Sequence, residues 1–155
     1  MVAVRIPLIN TDAVARVSIQ DAAAIMAFKW RARKSRYTFY AVRSIGRGYY
    51  ITMQEMVLSK GCDHIDRNGL NNIRSNLRPA TLSQQRMNAP IQRNNTSGHR
   101  GVSWNRIAKK WHASIQKDRV VYNLGYFANL DDAAAARRAA AQKLYGEYAA
   151  EHERS

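Results

Sequence analysis

Cysteine is almost absent from this 155-residue chain. Cys62 stands alone, which excludes an internal disulfide and every zinc site built on paired cysteines. No apolar run reaches the roughly 18 residues that a membrane-spanning helix needs. The start, MVAVRIPLIN, lacks the apolar stretch and small-residue cleavage site of a secretory leader. These absences predict a cytoplasmic protein with no membrane partner. Acidic side chains are missing from two long stretches. None lies between Ala22 and Gln54, where Lys29, Arg31, Arg33, Lys34, Arg36, Arg43 and Arg47 stand, and none lies between Arg67 and Lys117.

What is present is positive charge and enough apolar material for a core. The formal net charge is +14, and hydrophobic residues make up 46% of the chain. Acids gather at Asp63 and Asp66 and again in the last third, at Asp131, Asp132, Glu147, Glu151 and Glu153. A basic surface broken by one small acidic spot points to a polyanionic partner. Lys and Arg at phosphates gain by releasing condensed counterions, so such binding weakens steeply with salt. The competing reading is charge that only keeps the chain in solution.

Alternation at Val4, Ile6 and Leu8, then at Val14, Val17 and Ile19, predicts short strands, and QDAAAIMAF a helical turn. YTFYAVRS and GYYITM read as two strands joined through Gly46 and Gly48. KWRARKSRY reads as a loop, facing either nucleic acid or solvent. Ser83 is placed as the N-cap of a two-turn helix that Pro90 limits, and APIQRNNTSGHR as a linker over 89–98. GVSWN, KWHASIQK and VVYNLGYF predict three strands, with Trp111, Ala113 and Ile115 on one face and His112, Ser114 and Gln116 on the other. A helix follows, capped by Asn129, with Ala133, Ala136, Ala140 and Leu144 along its packed face and a fraying tail at 151–155.

The stretch CDHIDRNGLNNIRSNLRPAT carries the chemistry. Phosphodiester hydrolysis needs an activated water and neutralisation of charge on the phosphate. A histidine near neutral pKa supplies the first, and a cation held by a carboxylate the second. On a strand, Asp63 and His64 point to opposite sides. As a dipeptide they equally describe an exposed polar turn. The surrounding residues are Asp63, His64, Ile65, Asp66, then Leu70-Asn71-Asn72, Asn76-Leu77-Arg78, Ala80-Thr81 and Ser83. Together they resemble the HNH endonuclease family, the His-Me finger nucleases.

The resemblance implies a ββα-metal finger at about 60–88 within a nuclease domain of residues 1–88. In it His64 is the general base and Asn76 the catalytic-site asparagine that braces the finger and orients the histidine. Asp63 is a ligand of one divalent ion, Mg2+ or Mn2+, with no structural zinc. The second ligand position, usually Asn or His, is Gln85, whose amide oxygen sits one methylene further from the backbone; Gln84 and Asn88 flank it. Gln54 stands about where many relatives carry another histidine. Arg78 falls among the residues expected at DNA.

Residues 99–150 resemble the Apetala-two, ethylene-responsive-factor type of DNA-binding domain, through Arg100-Gly101-Val102, Trp111, Ala113, Ile115, Leu124-Gly125-Tyr126-Phe127 and LDDAAAARRAAAQKLYGEYA. This implies a three-stranded antiparallel sheet on one helix, with the sheet at the major groove of double-stranded DNA. Expected contacts are Arg100, Ser103, Asn105, Arg106, His112, Ser114, Gln116 and Asn123. The plant pattern of Arg, Glu and Trp readers is missing at several of these positions, so the plant target is not implied.

The combined expectation is an α+β chain: a small β-rich scaffold leading into the finger, then the sheet-helix module. Such architectures are common among bacteriophage and bacterial HNH proteins, some of them homing-type, which would place the protein in a bacterial host cell. The expected activity is metal-dependent DNA cleavage, with no obligate protein partner. The alternative is a non-catalytic, sequence-specific DNA-binding protein with a degenerate finger, and a further one an RNA-binding basic protein.

Overall fold

The computed structural model describes residues 2–153 as a mixed α/β chain of several small sheets and four α-helices. It divides into two compact units between Leu82 and Ser83. Among the described residues no helix is long and apolar enough to cross a membrane.

The first unit opens on an antiparallel hairpin of β1 (Ala3–Leu8) and β2 (Thr11–Ser18), whose alternation buries Ile6, Leu8, Ala15 and Val17. Ile19, expected on a strand, instead opens α1 (Ile19–Met26) with its side chain exposed; the helix buries Ala22 and Ile25. Trp30 fills the centre at 1% exposure, its indole N–H donating to the Ile25 carbonyl at 2.8 Å. That bond satisfies the one polar atom of a side chain otherwise held by apolar burial.

The segment expected as a basic loop contains a strand, β3 (Arg31–Lys34), which pairs with β4 (Phe39–Gly46), which in turn pairs with β5 (Tyr49–Thr52). Two contacts override its charged composition. Ala32 lies opposite the buried Ala41, and the Asn10 amide bonds both the Ala32 N–H (2.7 Å) and carbonyl (3.0 Å), as a neighbouring strand would. Helix α2 (Met53–Val57) follows, with the Thr52 N–H and hydroxyl both donating to Glu55 Oε2, at 2.8 and 2.9 Å.

Three short strands complete this unit: β6 (Cys62–His64), β7 (Asn71–Asn72) and β8 (Leu77–Pro79). β6 and β8 pair antiparallel, setting Asp63 opposite Arg78 and His64 opposite Leu77. β7 joins β2 in parallel, setting Asn72 opposite Val17.

Helix α3 (Leu82–Met87) starts one residue before the expected cap Ser83, whose hydroxyl bonds Asp118 at 2.9 Å. Met87 packs with Ile115, Ala141, Tyr145 and Ala149 in a core of the second unit. Within the expected linker, Ser97 is buried and its hydroxyl donates to the Val102 carbonyl at 2.7 Å.

The sheet of β9 (Val102–Asn105), β10 (Lys110–Lys117) and β11 (Val120–Phe127) has β10 at its centre, and α4 (Leu130–Tyr145) covers one face. The covered face of α4 is rotated from the expected one. It buries Ala133, Ala134, Arg137, Ala141 and Tyr145, while Ala136, Ala140 and Leu144 are half-buried. An alanine-rich helix has little apolar contrast to orient it, and a buried ion pair supplies the preference. Arg137 Nη2 lies 2.8 Å from Glu153 Oε1, and its guanidinium lies 5.4 Å from the Tyr145 ring centre. Gly101, at φ 68°, leaves the space for this; a Cβ there would collide with the Ser114 carbonyl and the Arg137 side chain. The expected tail is therefore ordered through Glu153, which closes a 3₁₀ turn and is buried. Asn129 precedes α4 as expected, but its amide bonds the Asp132 carboxylate at 3.3 Å and no backbone N–H.

Candidate active site

Asp63 and His64 are adjacent on β6. The Asp63 carboxylate meets its ladder neighbour Arg78, Oδ2 to Nη2 at 3.1 Å, with the two side chains 15% and 8% exposed. An ion pair this shielded holds its carboxylate in one orientation.

The His64 ring is 3% exposed, and its Nε2 lies 3.1 Å from Oδ1 of Asn72, itself at 0%. The Tyr40 ring stands 5.8 Å away, centre to centre. Burial lowers the imidazole pKa below its ordinary value, with the Asn72 hydrogen bond and the charges of Asp66 and Asp63 opposing. The ring is thus neutral near neutral pH, the state a proton acceptor needs. The Tyr40 phenol is pushed up, chiefly by burial and secondarily by Asp63.

Asn76 knits the intervening loop. Its amide donates to Asp66 Oδ1 (2.8 Å) and to the Asn71 carbonyl (2.7 Å), and its Oδ1 accepts from the Asp66 N–H at 3.0 Å. The Asn71 amide closes on Asp66 Oδ2 at 2.7 Å. Asp66 is therefore a structural hub of the loop. Gly69 lets the loop pass tightly against β4, where a Cβ would come within 2.5 Å of the Phe39 carbonyl and 2.6 Å of the Tyr40 ring. A side chain that meets the imidazole at Nε2 is Asn72, which sequence reasoning missed. Its signal was the second asparagine of Leu-Asn-Asn, with nothing in the pattern to separate it from Asn71.

The hard oxygen donor on β6 is the Asp63 carboxylate. Among the described residues no group of three or more His, Cys, Asp or Glu gathers to hold a metal. One carboxylate is too sparse for a closed cage, but an oxygen donor of this kind suits a hard divalent ion that completes its shell with water and substrate phosphate. Gln85, half-buried, lies on α3 in the second unit. Gln54 Oε1, on α2, is buried with no hydrogen-bond partner.

Two sheet faces present polar groups. On the first unit, the register places Arg31, Arg33, Tyr40, Tyr50 and Thr52 on one face of β3–β5, the face whose Tyr40 meets His64. Arg33 lies over the Tyr50 ring at 4.8 Å. On the second unit, Ser103, Asn105, His112, Ser114, Gln116 and Asn123 share the face of β9–β11 turned away from α4. There His112 Nε2 lies 3.2 Å from Asn123 Oδ1, and its ring lies 4.9 Å from that of Tyr126. Arg106 is exposed in the turn between β9 and β10. Arg100 is elsewhere: its guanidinium donates to the carbonyls of Arg86 and Met87, both at 2.6 Å, at the end of α3.

A carboxylate–imidazole pair on a short hairpin strand, in a chain of strong positive charge, has the makings of a phosphodiester-cleaving centre, and relatives narrow the class. Over 139 residues the chain is 30% identical to an uncharacterized HNH endonuclease of Acanthamoeba polyphaga mimivirus, the match covering 86% of this chain and 72% of that protein. The chain belongs to the HNH endonuclease family. It is also 33% identical over 79 residues to Protein 3.8 of Escherichia phage T7; that match takes in 51% of this chain and spans only 56% of the phage protein's length. No family model matches the chain, and no solved structure matches it significantly.

Proposed function

We propose that this chain is a metal-dependent DNA endonuclease that hydrolyses phosphodiester bonds. The stretch from Cys62 to Met87 is read as a ββα-metal finger, and the β9–β11 sheet with α4 as an Apetala-two-type module that positions DNA. The observation that carries the reading is a buried imidazole, hydrogen-bonded at Nε2, on the same short strand as an arginine-paired carboxylate.

His64 takes the proton from the attacking water, and its burial keeps it unprotonated for that task. Asp63 would hold the ion, and Arg78 keeps the Asp63 carboxylate oriented. When bound, the ion neutralises charge building on the phosphate and assists the leaving oxygen. Asn76 and Asp66 fix the loop between the two hairpin strands. Arg31 and Arg33 offer charge to backbone phosphates, and Tyr50 a flat ring, on the sheet face whose Tyr40 meets His64.

A passive DNA-binding protein is the second reading, favoured by the 3% exposure of His64. Supercoiled plasmid separates the two. Nicked or linear product with Mg2+ or Mn2+, abolished by a chelator, is the expected result. Tight binding without cleavage under any divalent ion would establish the passive reading.

A further inference from the structure

The β4–β5 hairpin runs past the strand beside it. β3 pairs with β4 only as far as Val42, opposite Arg31, so among the described residues β4 from Arg43 to Gly46 has β5 as its one ladder partner. A two-stranded ribbon is marginal in water, and large apolar groups displayed on one call for a partner. This ribbon ends in Ile45, 58% exposed, and Tyr49, 69% exposed. The ladder shifts between Ser44 and Gly46, and both side chains alternate away from the Ser44–Tyr50 pair, so they share one side of the tip. Between them the chain turns through Arg47 and Gly48, both at positive φ (51° and 77°), as a two-residue hairpin turn requires. Arg47 holds a conformation that Asn or Gly takes at lower cost, and it displays its charge at the very end of the ribbon. Among the described residues, a side chain begun at Gly46 or Gly48 would meet no atom within 4 Å beyond its chain neighbours, so the tip stands clear of its own unit.

The flanking charge is of one sign. No Asp or Glu occurs from Ala22 to Gln54, and Arg33 lies over the Tyr50 ring at 4.8 Å. Apolar groups set among cations match a polyanion with an apolar interior. Duplex DNA is one: its major groove admits a two-stranded ribbon, isoleucine is among the side chains that wedge between base pairs, and a tyrosine ring stacks on an unstacked base. Tyr40, which meets the His64 ring, precedes Gly46 on β4 by roughly 20 Å of strand, so the tip works at a different base step from the one beside His64.

We propose that the β4–β5 tip is a DNA wedge: Ile45 and Tyr49 enter a groove of the duplex and part a base step, while Arg47 lies beside the phosphates that line it. The proposal rests on the DNA-binding half of the function proposed above and not on cleavage.

A closed plasmid relaxed by a metal-independent topoisomerase, with the full-length protein bound and EDTA present to withhold metal, tests it. Parting base steps unwinds the duplex and leaves a changed linking number once the protein is removed. Wild type is expected to shift the linking number in proportion to the protein bound. Ile45→Ser with Tyr49→Ser is expected to abolish the shift and to weaken duplex affinity about tenfold, with the slope of log affinity against log salt unchanged. Arg47→Ala is expected to keep the shift at saturating protein and to lower that slope by about 1. Wild type that binds the plasmid without changing its linking number, or a double variant that shifts it as wild type does, overturns the wedge and leaves the DNA-binding reading standing. A dimer in sedimentation that the double variant loses makes the tip a contact between copies and overturns the wedge likewise. No binding to plasmid at all removes the DNA-binding reading itself, and the wedge with it. The wild-type measurement decides even if the double variant fails to fold.

Discussion

The two units each shield an ion pair but display different groups on their sheets. In the first, one face of β3–β5 displays the exposed Arg31 and Arg33, and the shielded groups are the Asp63–Arg78 ion pair with His64 and Asn72 beside it. In the second, the open face of β9–β11 carries Ser103, Asn105, His112, Ser114, Gln116 and Asn123 with one cation, Lys110, and the buried ion pair is Arg137 with Glu153. Exposed guanidinium groups suit phosphates, which carry no sequence information. Neutral donors and acceptors on a sheet suit base edges, which do. The proposed function assigns gripping and cutting to the first unit and reading to the second, and the contrast is where that division can be tested.

The arginines sharpen that contrast most. Arg137→Ala removes the partner of a buried carboxylate and is expected to lower stability by about 3 kcal/mol or more in chemical denaturation. Arg33→Ala, at an exposed position, is expected to leave stability within about 0.5 kcal/mol. Its effect appears in DNA binding, where the slope of log affinity against log salt falls by about 1 for each phosphate that the protein no longer neutralises. Equal destabilisation by the two substitutions would erase the distinction between buried and displayed charge.

A smaller effect is expected on the open face of β9–β11. Gln116→Ala with Asn123→Ala should leave the salt slope unchanged and reduce discrimination between target and random duplex by about 1–3 kcal/mol for each base read. A changed slope with intact discrimination would move the reading function away from this sheet.

Much of this was legible in the sequence where local pattern and tertiary packing agree. The hairpin of β1 and β2, the pair β4 and β5, the three strands of the second unit and α4 all follow from periodicity. The Asp63-His64 pair and Asn76 stood out through a spaced motif that no single property encodes. What stayed hidden was set by distant partners. β3 is a strand because Asn10 and Ala41 make it one, against its charge. Arg137 faces inward because Glu153 waits 16 positions later in the chain, as the sequence numbering shows. Asn71 and Asn72 share a parallel pairing with β2, and Asn72 is set apart by its full burial and a methionine sulfur. Arg100, expected at DNA, is held by the carbonyls at the end of α3, which no motif records.

The most direct test separates gripping from cutting. His64→Ala, at fixed salt with Mg2+ or Mn2+, is compared with wild type for duplex DNA affinity and for plasmid nicking. The account predicts affinity within about twofold of wild type and nicking slowed by at least about 100-fold. Nicking at the wild-type rate by His64→Ala would contradict it.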